Sequence, residues 1–198
     1  MSDDEMPNGT TARPSGGLTL SELTLSTLWN VRGHCANRSF VDAVNRLAGV
    51  ELPMRPCSSS QGTEGTLLWM GPTSWLLVRT DAAHTAFAQA RDALNAVGGA
   101  LFDVSSSYVG WIVRGPNAAA VLNRGCPLDF HDTAFPRGHC AQSLLGHVAA
   151  LFYRPSSYPH FVVMVARSLS RDARDDLLAY LRSDGGSAGR EEPFPGGD

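Results

Sequence analysis

The sequence predicts an α+β fold in which one structural unit occurs twice. The first observation is a recurring strand pattern: Trp29-Asn-Val-Arg-Gly33 returns 82 residues later as Trp111-Ile-Val-Arg-Gly115, and each copy precedes a helical pattern that ends in glycine. The second observation is a tight turn between two apolar strands, at Pro72 in one half and at Pro155 in the other. The two offsets are 82 and 83 residues, and together with the shared element order they indicate two β-α-β-β-α pseudo-repeats.

The first pseudo-repeat covers about residues 18–104. Its first strand, around 28–33, leads to a helix that Asn37 caps and Gly49 ends, because Asn accepts an N-terminal amide hydrogen and Gly adopts the left-handed conformation. A loop rich in Pro, Ser and Gly follows. The remaining predicted elements are two strands, a helix that Asp81 caps and a closing strand, with the strands at 66–70, 75–79 and 100–104.

The second pseudo-repeat covers about residues 105–184 and opens with a strand over Tyr108 to Arg114. Pro116 begins the next helix, since its missing N–H has no partner at a first helical position anyway. Two further strands and a last helix complete the unit. The strands are predicted at 148–153 and 160–165, and the helix has Ala173, Leu177 and Leu181 on its apolar face.

Both ends of the chain are polar and rich in Gly and Pro, so residues 1–17 and 185–198 are predicted to be disordered tails. The sequence contains no apolar run of the roughly 20 residues that would span a bilayer. The N-terminal stretch has no apolar segment typical of a secretion signal. We therefore expect a cytoplasmic protein with no membrane partner, in which the four cysteines are reduced thiols.

All 16 basic residues are arginine, and the net charge is −3. The absence of lysine excludes Schiff-base chemistry and a phosphate-loop lysine. Ferredoxin-like β-α-β-β-α units also form RNA-binding sheets, but the aromatic and basic signature of those sheets is missing. With neither that signature nor a basic run, we expect no nucleic-acid partner.

A repeated pentapeptide raises the question of a zinc site. Arg-Gly-His-Cys-Ala occurs at Arg32 to Ala36 and again at Arg137 to Ala141. Adjacent His-Cys pairs do not have the Cys-x₂₋₄-Cys or His-x₃₋₅-His spacing that lets two ligands reach one ion. The two copies also fall at non-equivalent places in the pseudo-repeats. The sequence therefore predicts no metal site.

Thiol or hydroxyl nucleophiles are the other candidates for chemistry. Cys126 and Cys140 have His131 and His139 in the same loop region, so a histidine-activated thiolate is one interpretation. The favoured alternative is that both cysteines are small buried apolar residues. Asp103 followed by Ser105 to Ser107 resembles a Ser–Asp pair, but such serines are more often turn groups. We predict no catalytic and no cofactor-binding residue in this chain.

Four tryptophans, at positions 29, 69, 75 and 111, lie in or beside predicted strands. Most are predicted to belong to the core, and an exposed one would indicate an interface.

Taken together, several short motifs resemble the gamma subunits of heterotetrameric sarcosine oxidases. The resemblance runs from about Leu18 to Arg182, and one difference is that Thr73 and Ser74 stand where the family usually has acidic residues. The motifs that carry it are Leu28-Trp-Asn-Val-Arg-Gly33, Leu68-Trp-Met-Gly-Pro-Thr-Ser-Trp-Leu-Leu-Val78, Arg114-Gly-Pro-Asn-Ala118, Gly125-Cys-Pro-Leu-Asp129, Phe135-Pro-Arg-Gly138 and Ala166-Arg-Ser168.

The resemblance implies a fold like the folate-binding domain of glycine cleavage T proteins, and it implies a place among four different subunits. The partners would be the alpha, beta and delta subunits of such a complex, in which the large subunits hold FAD, FMN, NAD and tetrahydrofolate and a small zinc subunit completes the assembly. The resemblance implies no cofactor bound by this chain. The acidic segment with which T proteins activate folate is not found in this sequence. The resemblance therefore implies that the fold was kept while its one-carbon chemistry was lost.

Two hypotheses follow. The first is a non-catalytic structural subunit of a flavin-dependent oxidoreductase that demethylates sarcosine, or a related N-methyl amino acid, and passes the one-carbon unit to tetrahydrofolate. The second is a free-standing, tetrahydrofolate-binding, aminomethyltransferase-like protein. The second needs an acid that faces the pteridine, for which Asp103 and Asp129 are the candidates.

Overall fold

The computed structural model describes residues 17–62, 65–79, 86–157 and 159–195. The predicted N-terminal tail, apart from Gly17, and the predicted cap at Asp81 lie outside these residues. The helices are α1 Arg38–Ala48, α2 Phe87–Asn95, α3 Ala118–Gly125 and α4 Ser170–Arg182. The strands are β1 Thr19–Thr24, β2 Thr27–Arg32, β3 Ser59–Gln61, β4 Gly65–Gly71, β5 Ser74–Arg79, β6 Ala100–Asp103, β7 Tyr108–Arg114, β8 Cys140–Leu145, β9 Val148–Tyr153, β10 His160–Ala166, β11 Ser187–Ala188 and β12 Glu192–Pro193.

Two sheets repeat the same strand order. The N-sheet has the order β3-β4-β5-β2-β6, and the C-sheet has the order β8-β9-β10-β7-β1, with β11 and β12 also paired to β1. The three strands after α1, which are β3, β4 and β5, therefore correspond in order to the three strands after α3, which are β8, β9 and β10. This confirms the α+β class and the internal duplication predicted from the sequence.

The prediction that residues 18–24 belong to the first pseudo-repeat is wrong. The sequence pattern places residues 18–24 in the first unit, but β1 runs antiparallel to β7 of the second, with Leu20 opposite Val113. The physical reason is that each first strand needs a neighbour on its outer side. In the N-sheet that neighbour is β6, which lies antiparallel to β2. In the C-sheet the start of the chain supplies it.

The prediction of a disordered C-terminal tail is also wrong within the described residues. β11 and β12 run parallel to β1 and cover its outer edge. Phe194, which follows them, is only 5% exposed and stacks on Tyr153 at a centroid distance of 5.9 Å. An unpaired strand edge and an apolar slot thus order a segment whose composition alone favours disorder.

The core has three apolar layers. One lies between the N-sheet and α1 with α2, and contains Trp29, Trp75 and Phe40. A second lies between the C-sheet and α3 with α4, and contains Trp111 and Phe130. The third lies between the two sheets. Its main members are Leu28, Leu68, Leu76, Val78, Ile112, Leu151, Tyr153, Val162, Met164 and Phe194.

The sequence signals at the helix ends hold where the structure describes them. The side chain of Asn37 accepts a hydrogen bond from the Phe40 amide at 3.2 Å, and Gly49 ends α1 with a φ of 68°. No helix among the described residues is both long and apolar enough to cross a bilayer.

Candidate functional site

A crevice opens where the layer between the two sheets ends. Its volume is about 660 Å³. Its residues come from both sheets and from the segments that join them. They are Asn30, Arg32, Met70, Ser74, Leu76, Phe102, Val104, Tyr108 and Gln142.

The alternation of side chains along β2 explains why polar residues line one side of the crevice. Trp29 and Val31 point toward the helices and are fully buried. Leu28, Asn30 and Arg32 therefore share the opposite face, which looks toward the C-sheet. Leu28 belongs to the inter-sheet core, and the change to Asn and Arg on the same face marks where that core gives way to the crevice.

Hydrogen bonds hold the polar side chains in place. Asn30 Nδ2 donates to Ser74 Oγ at 3.0 Å and to the Trp75 carbonyl at 3.2 Å, while Arg32 Nε donates to Asn30 Oδ1 at 2.8 Å. From the C-sheet side, Gln142 Nε2 donates to the Met70 carbonyl at 2.8 Å. Arg32 thus lines the crevice, and within the described residues its guanidinium donates only to Asn30, so its other N–H groups can donate to an anion.

The apolar part of the crevice is open to solvent at Phe102. Phe102 lies opposite Asn30, on the face of β6 that looks away from the buried Leu101, and its side chain is 51% exposed. Among the described residues that line the crevice, none is aspartate or glutamate. The arrangement suits the binding of an anionic or aromatic group, and it offers no carboxylate to accept a proton.

The two cysteine candidates are buried apart from this crevice. Cys140 is fully buried, and its thiol donates to the carbonyls of Ser58 at 3.2 Å and Trp69 at 3.5 Å. Burial raises the pKa of the Cys140 thiol to about 12, so it stays protonated at neutral pH. Cys126 packs in the layer between α3 and the C-sheet. The interpretation as small apolar residues fits both positions.

The histidine candidates have other neighbours. His139 packs edge-on against the Phe135 ring at 5.9 Å, and His131 Nδ1 lies 3.1 Å from Thr133 Oγ1. The described residues contain no group of three or more His, Cys, Asp or Glu side chains arranged to hold a metal ion.

Both acid candidates close local turns. Asp103 Oδ1 accepts from the Ser105 amide at 3.0 Å and from its hydroxyl at 2.5 Å. Asp129 Oδ1 accepts from the His131 amide at 2.8 Å. Neither carboxylate lines the crevice. The serine after Asp103 thus acts as the turn group that its sequence context predicts.

The tryptophans are core residues, as predicted. Trp29 and Trp75 are fully buried and Trp111 is 4% exposed. Trp69 is partly buried and packs against two of the apolar layers. Trp75 Nε1 donates to the Pro53 carbonyl at 2.8 Å, which satisfies the buried indole N–H.

The sequence pattern did not predict Asn30, Arg32, Phe102 or Gln142 as residues of a binding site. A signal was present for two of them, because Asn30 and Arg32 are polar residues that alternate with the apolar Trp29 and Val31 and therefore lie on one face of β2. Phe102 and Gln142 carry no such signal, since only the packing of the two sheets brings them to the crevice.

Comparison with known proteins decides the family. The sequence profile of the sarcosine oxidase gamma subunit family matches residues 32–174. The chain belongs to the sarcosine oxidase gamma subunit family. The matched segment holds the greater part of both sheets and most of the crevice, so the resemblance seen in the short motifs is confirmed.

One curated relative is sarcosine oxidase subunit gamma of Corynebacterium sp. (strain U-96). It is 27% identical over 138 residues, which are 69% of this chain and 66% of that protein. The match thus spans just under two thirds of the relative's length.

Two solved structures share the fold. The heterotetrameric sarcosine oxidase of Corynebacterium sp. U-96, in complex with pyrrole 2-carboxylate, contains a chain that superposes with a TM-score of 0.77 at 22% identity. That match covers 86% of this chain and 88% of the other. Glycine cleavage system aminomethyltransferase T from Bartonella henselae superposes with a TM-score of 0.60 at 15% identity, over 88% of this chain and 48% of that one. The predicted T-protein-like fold is thereby confirmed.

Proposed function

We propose that this chain is a non-catalytic structural subunit of a heterotetrameric sarcosine oxidase. The complex would oxidise sarcosine, or a related N-methyl amino acid, to an imine and transfer the one-carbon unit to tetrahydrofolate. The observation that carries the proposal is the family match over residues 32–174. The solved relative with this fold comes from a heterotetrameric sarcosine oxidase.

The chemistry of the crevice supports a role outside catalysis. Folate-dependent one-carbon transfer needs an acid or base beside the reacting atoms. The described crevice residues include no carboxylate, and the candidates Asp103 and Asp129 are held in turns elsewhere. The described residues that line the crevice therefore support the proposal that this site does not react with folate.

We assign the cofactors to the partners. FAD, FMN, NAD and tetrahydrofolate would be held by the large subunits among the alpha, beta and delta partners, and this chain would contribute packing surface. We further propose a cytoplasmic location, because all four cysteines are free thiols and such thiols persist in a reducing compartment.

Co-purification tests the assignment. The chain is expressed with an affinity tag, together with the products of the adjacent reading frames, and the eluate is analysed by size exclusion and mass spectrometry. We expect one assembly that contains this chain and three others and that oxidises sarcosine, while the chain alone shows no turnover.

Tetrahydrofolate titration of the chain alone separates the two hypotheses. Calorimetry with no heat of binding supports the structural role. A dissociation constant in the micromolar range, with a monodisperse monomer that recruits no partner, would overturn it in favour of a free-standing aminomethyltransferase-like protein.

A further inference from the structure

The outer edges of the two sheets, at β1 and at β6, differ in whether another strand covers them. In the C-sheet, β11 and β12 cover β1: the Ser187 amide donates to the Leu18 carbonyl at 3.0 Å and the Gly189 amide to the Leu20 carbonyl at 2.7 Å. In the N-sheet, the strand order of the described residues ends at β6.

The register shows that β6 is the counterpart of β1. Thr19 lies opposite Arg114 and Leu20 opposite Val113 in the C-sheet. In the N-sheet, Ala100 lies opposite Arg32 and Leu101 opposite Val31.

Backbone alternation then identifies which backbone groups of β6 face away from β2. In an antiparallel pair, alternate residues turn their N–H and C=O groups outward. The Val104 amide bonds inward to the Leu28 carbonyl at 2.9 Å, so the groups of Leu101 point outward. Its counterpart Leu20 is the residue whose carbonyl receives the tail in the C-sheet.

The charge at the end of the first strand repeats as well. Arg114 and Arg32 are the last residues of β7 and β2. The tail strand in the C-sheet brings Glu192, whose Oε2 lies 2.7 Å from Arg114 Nη2. Arg32 is exposed, and its described bond is to the neutral Asn30 side chain.

An apolar slot accompanies each edge. The segment that covers β1 places Phe194 in the layer between the sheets, against Tyr153. Beside β6 lies the crevice of about 660 Å³, where Phe102 is 51% exposed. A strand on β6 would cover Phe102 and direct an apolar side chain into this space.

We propose that the edge of β6 receives an extended segment of a partner subunit, which adds a parallel strand to the N-sheet and carries a carboxylate that pairs with Arg32. The proposal rests on the proposed function, because it takes the partner from the same oxidase complex. The internal duplication supports this, because β11 and β12 of this chain add parallel strands to β1 of the C-sheet. That segment is bound at β1, so we assign the strand on β6 to another chain. Strand addition of this kind uses main-chain hydrogen bonds for affinity and side-chain pockets for specificity.

Hydrogen–deuterium exchange of the full chain, alone and in the co-purified complex, tests the strand. We expect peptides containing residues 100–103 to exchange at least about 100-fold more slowly in the complex, as for amides that gain a ladder bond. Peptides of β1 are the internal control, since β11 already covers that edge and their protection should be equal in both states.

A chemical cross-link tests the charge pair. The chain has no lysine, so Arg32→Lys introduces its only side-chain amine. A carbodiimide activates a partner carboxylate, and the amine then displaces the activating group to form an amide. We expect a cross-linked peptide joining position 32 to an acidic residue of a partner, whereas Arg38→Lys, at an exposed position on α1, should give at least about tenfold less.

The outcomes separate this proposal from the function on which it rests. If the complex assembles but residues 100–103 exchange equally fast in both states, strand addition is wrong and the subunit assignment stands. If no complex assembles, both fail. Protection of residues 100–103 that appears in the chain alone and rises with its concentration would identify a second copy as the occupant and overturn the partner strand.

Discussion

The two sheets of this chain have the same strand order but different completeness. The C-sheet receives two extra strands from the C-terminal tail, a buried Phe194 and an ion pair at Arg114. The N-sheet ends at β6, with Phe102 half exposed and Arg32 beside an open crevice. Among the described residues, the C-sheet thus has its outer edge covered by strands of the same chain, whereas β6 is the last strand of the N-sheet.

This difference shows which features of a duplicated fold stay the same in both units and which can change. Internal duplication fixes the shared architecture, because both units need the same apolar faces to pack. The edges are not constrained in this way. An edge covered by the chain itself contributes stability, and an uncovered edge is available for a partner.

The largest expected effect comes from the two phenylalanines at these edges. Phe194→Ala removes a ring that is 5% exposed, and we expect the free energy of unfolding to fall by about 3–5 kcal/mol. Phe102→Ala removes a ring that is 51% exposed, and we expect a change within about 0.5–1 kcal/mol. Urea unfolding of the full chain, followed by fluorescence, measures both.

Equal losses for the two variants would contradict the comparison. A small loss for Phe194→Ala would show that the tail does not stabilise the C-sheet. A large loss for Phe102→Ala would show that this ring is covered in the isolated chain.

The next effect is a pH dependence of the free energy of unfolding that arises in the C-sheet and not at the corresponding position of the N-sheet. His160, which lies opposite Arg114 and is 2% exposed, corresponds to Ser74 opposite Arg32 in the N-sheet. Burial, with a smaller contribution from Arg114, lowers the pKa of His160 to about 4. The folded state therefore favours neutral histidine, and the unfolded state binds the extra proton as the pH falls below its pKa of about 6.5.

Stability should thus be complete above about pH 6.5 and decline as the pH falls toward 4. We expect the free energy of unfolding to drop by about 2 kcal/mol between pH 7 and pH 4.5. His160→Ser, which copies the residue of the N-sheet, should remove most of this slope. Urea unfolding at several pH values measures it, and an unchanged slope in the variant would assign the effect to other groups.

The comparison also shows what sequence reasoning can reach. The strands Tyr108–Arg114 and Val148–Tyr153 have the predicted bounds, and α1 has its predicted caps. These elements have strong local signals, namely alternating apolar residues and specific end residues. Because such signals recur in both halves at nearly the same offset, the duplication can be detected from the sequence alone.

The elements that were missed depend on distant partners. β1, β3 and β8 received no predicted strand, and the tail that forms β11 and β12 was predicted to be disordered. β1 pairs with β7, about 90 positions along the chain, so local pattern alone does not indicate its neighbour. The crevice was missed for the same reason, because residues such as Phe102 and Gln142 meet only when the two sheets pack.

The smallest effect tests the arginines directly. Arg114→Ala removes the ion pair with Glu192, whose two side chains are 45% and 27% exposed, so solvent screening limits the expected loss to about 0.5–1 kcal/mol. Arg32→Ala removes one described hydrogen bond, to Asn30, and the isolated chain should lose no more than a few tenths of a kcal/mol. A cycle with Glu192→Ala isolates the pair energy at Arg114. If Arg32→Ala costs as much as Arg114→Ala, and the cost falls with added salt, then Arg32 already has an acidic partner in the isolated chain and the N-sheet edge is not the open one.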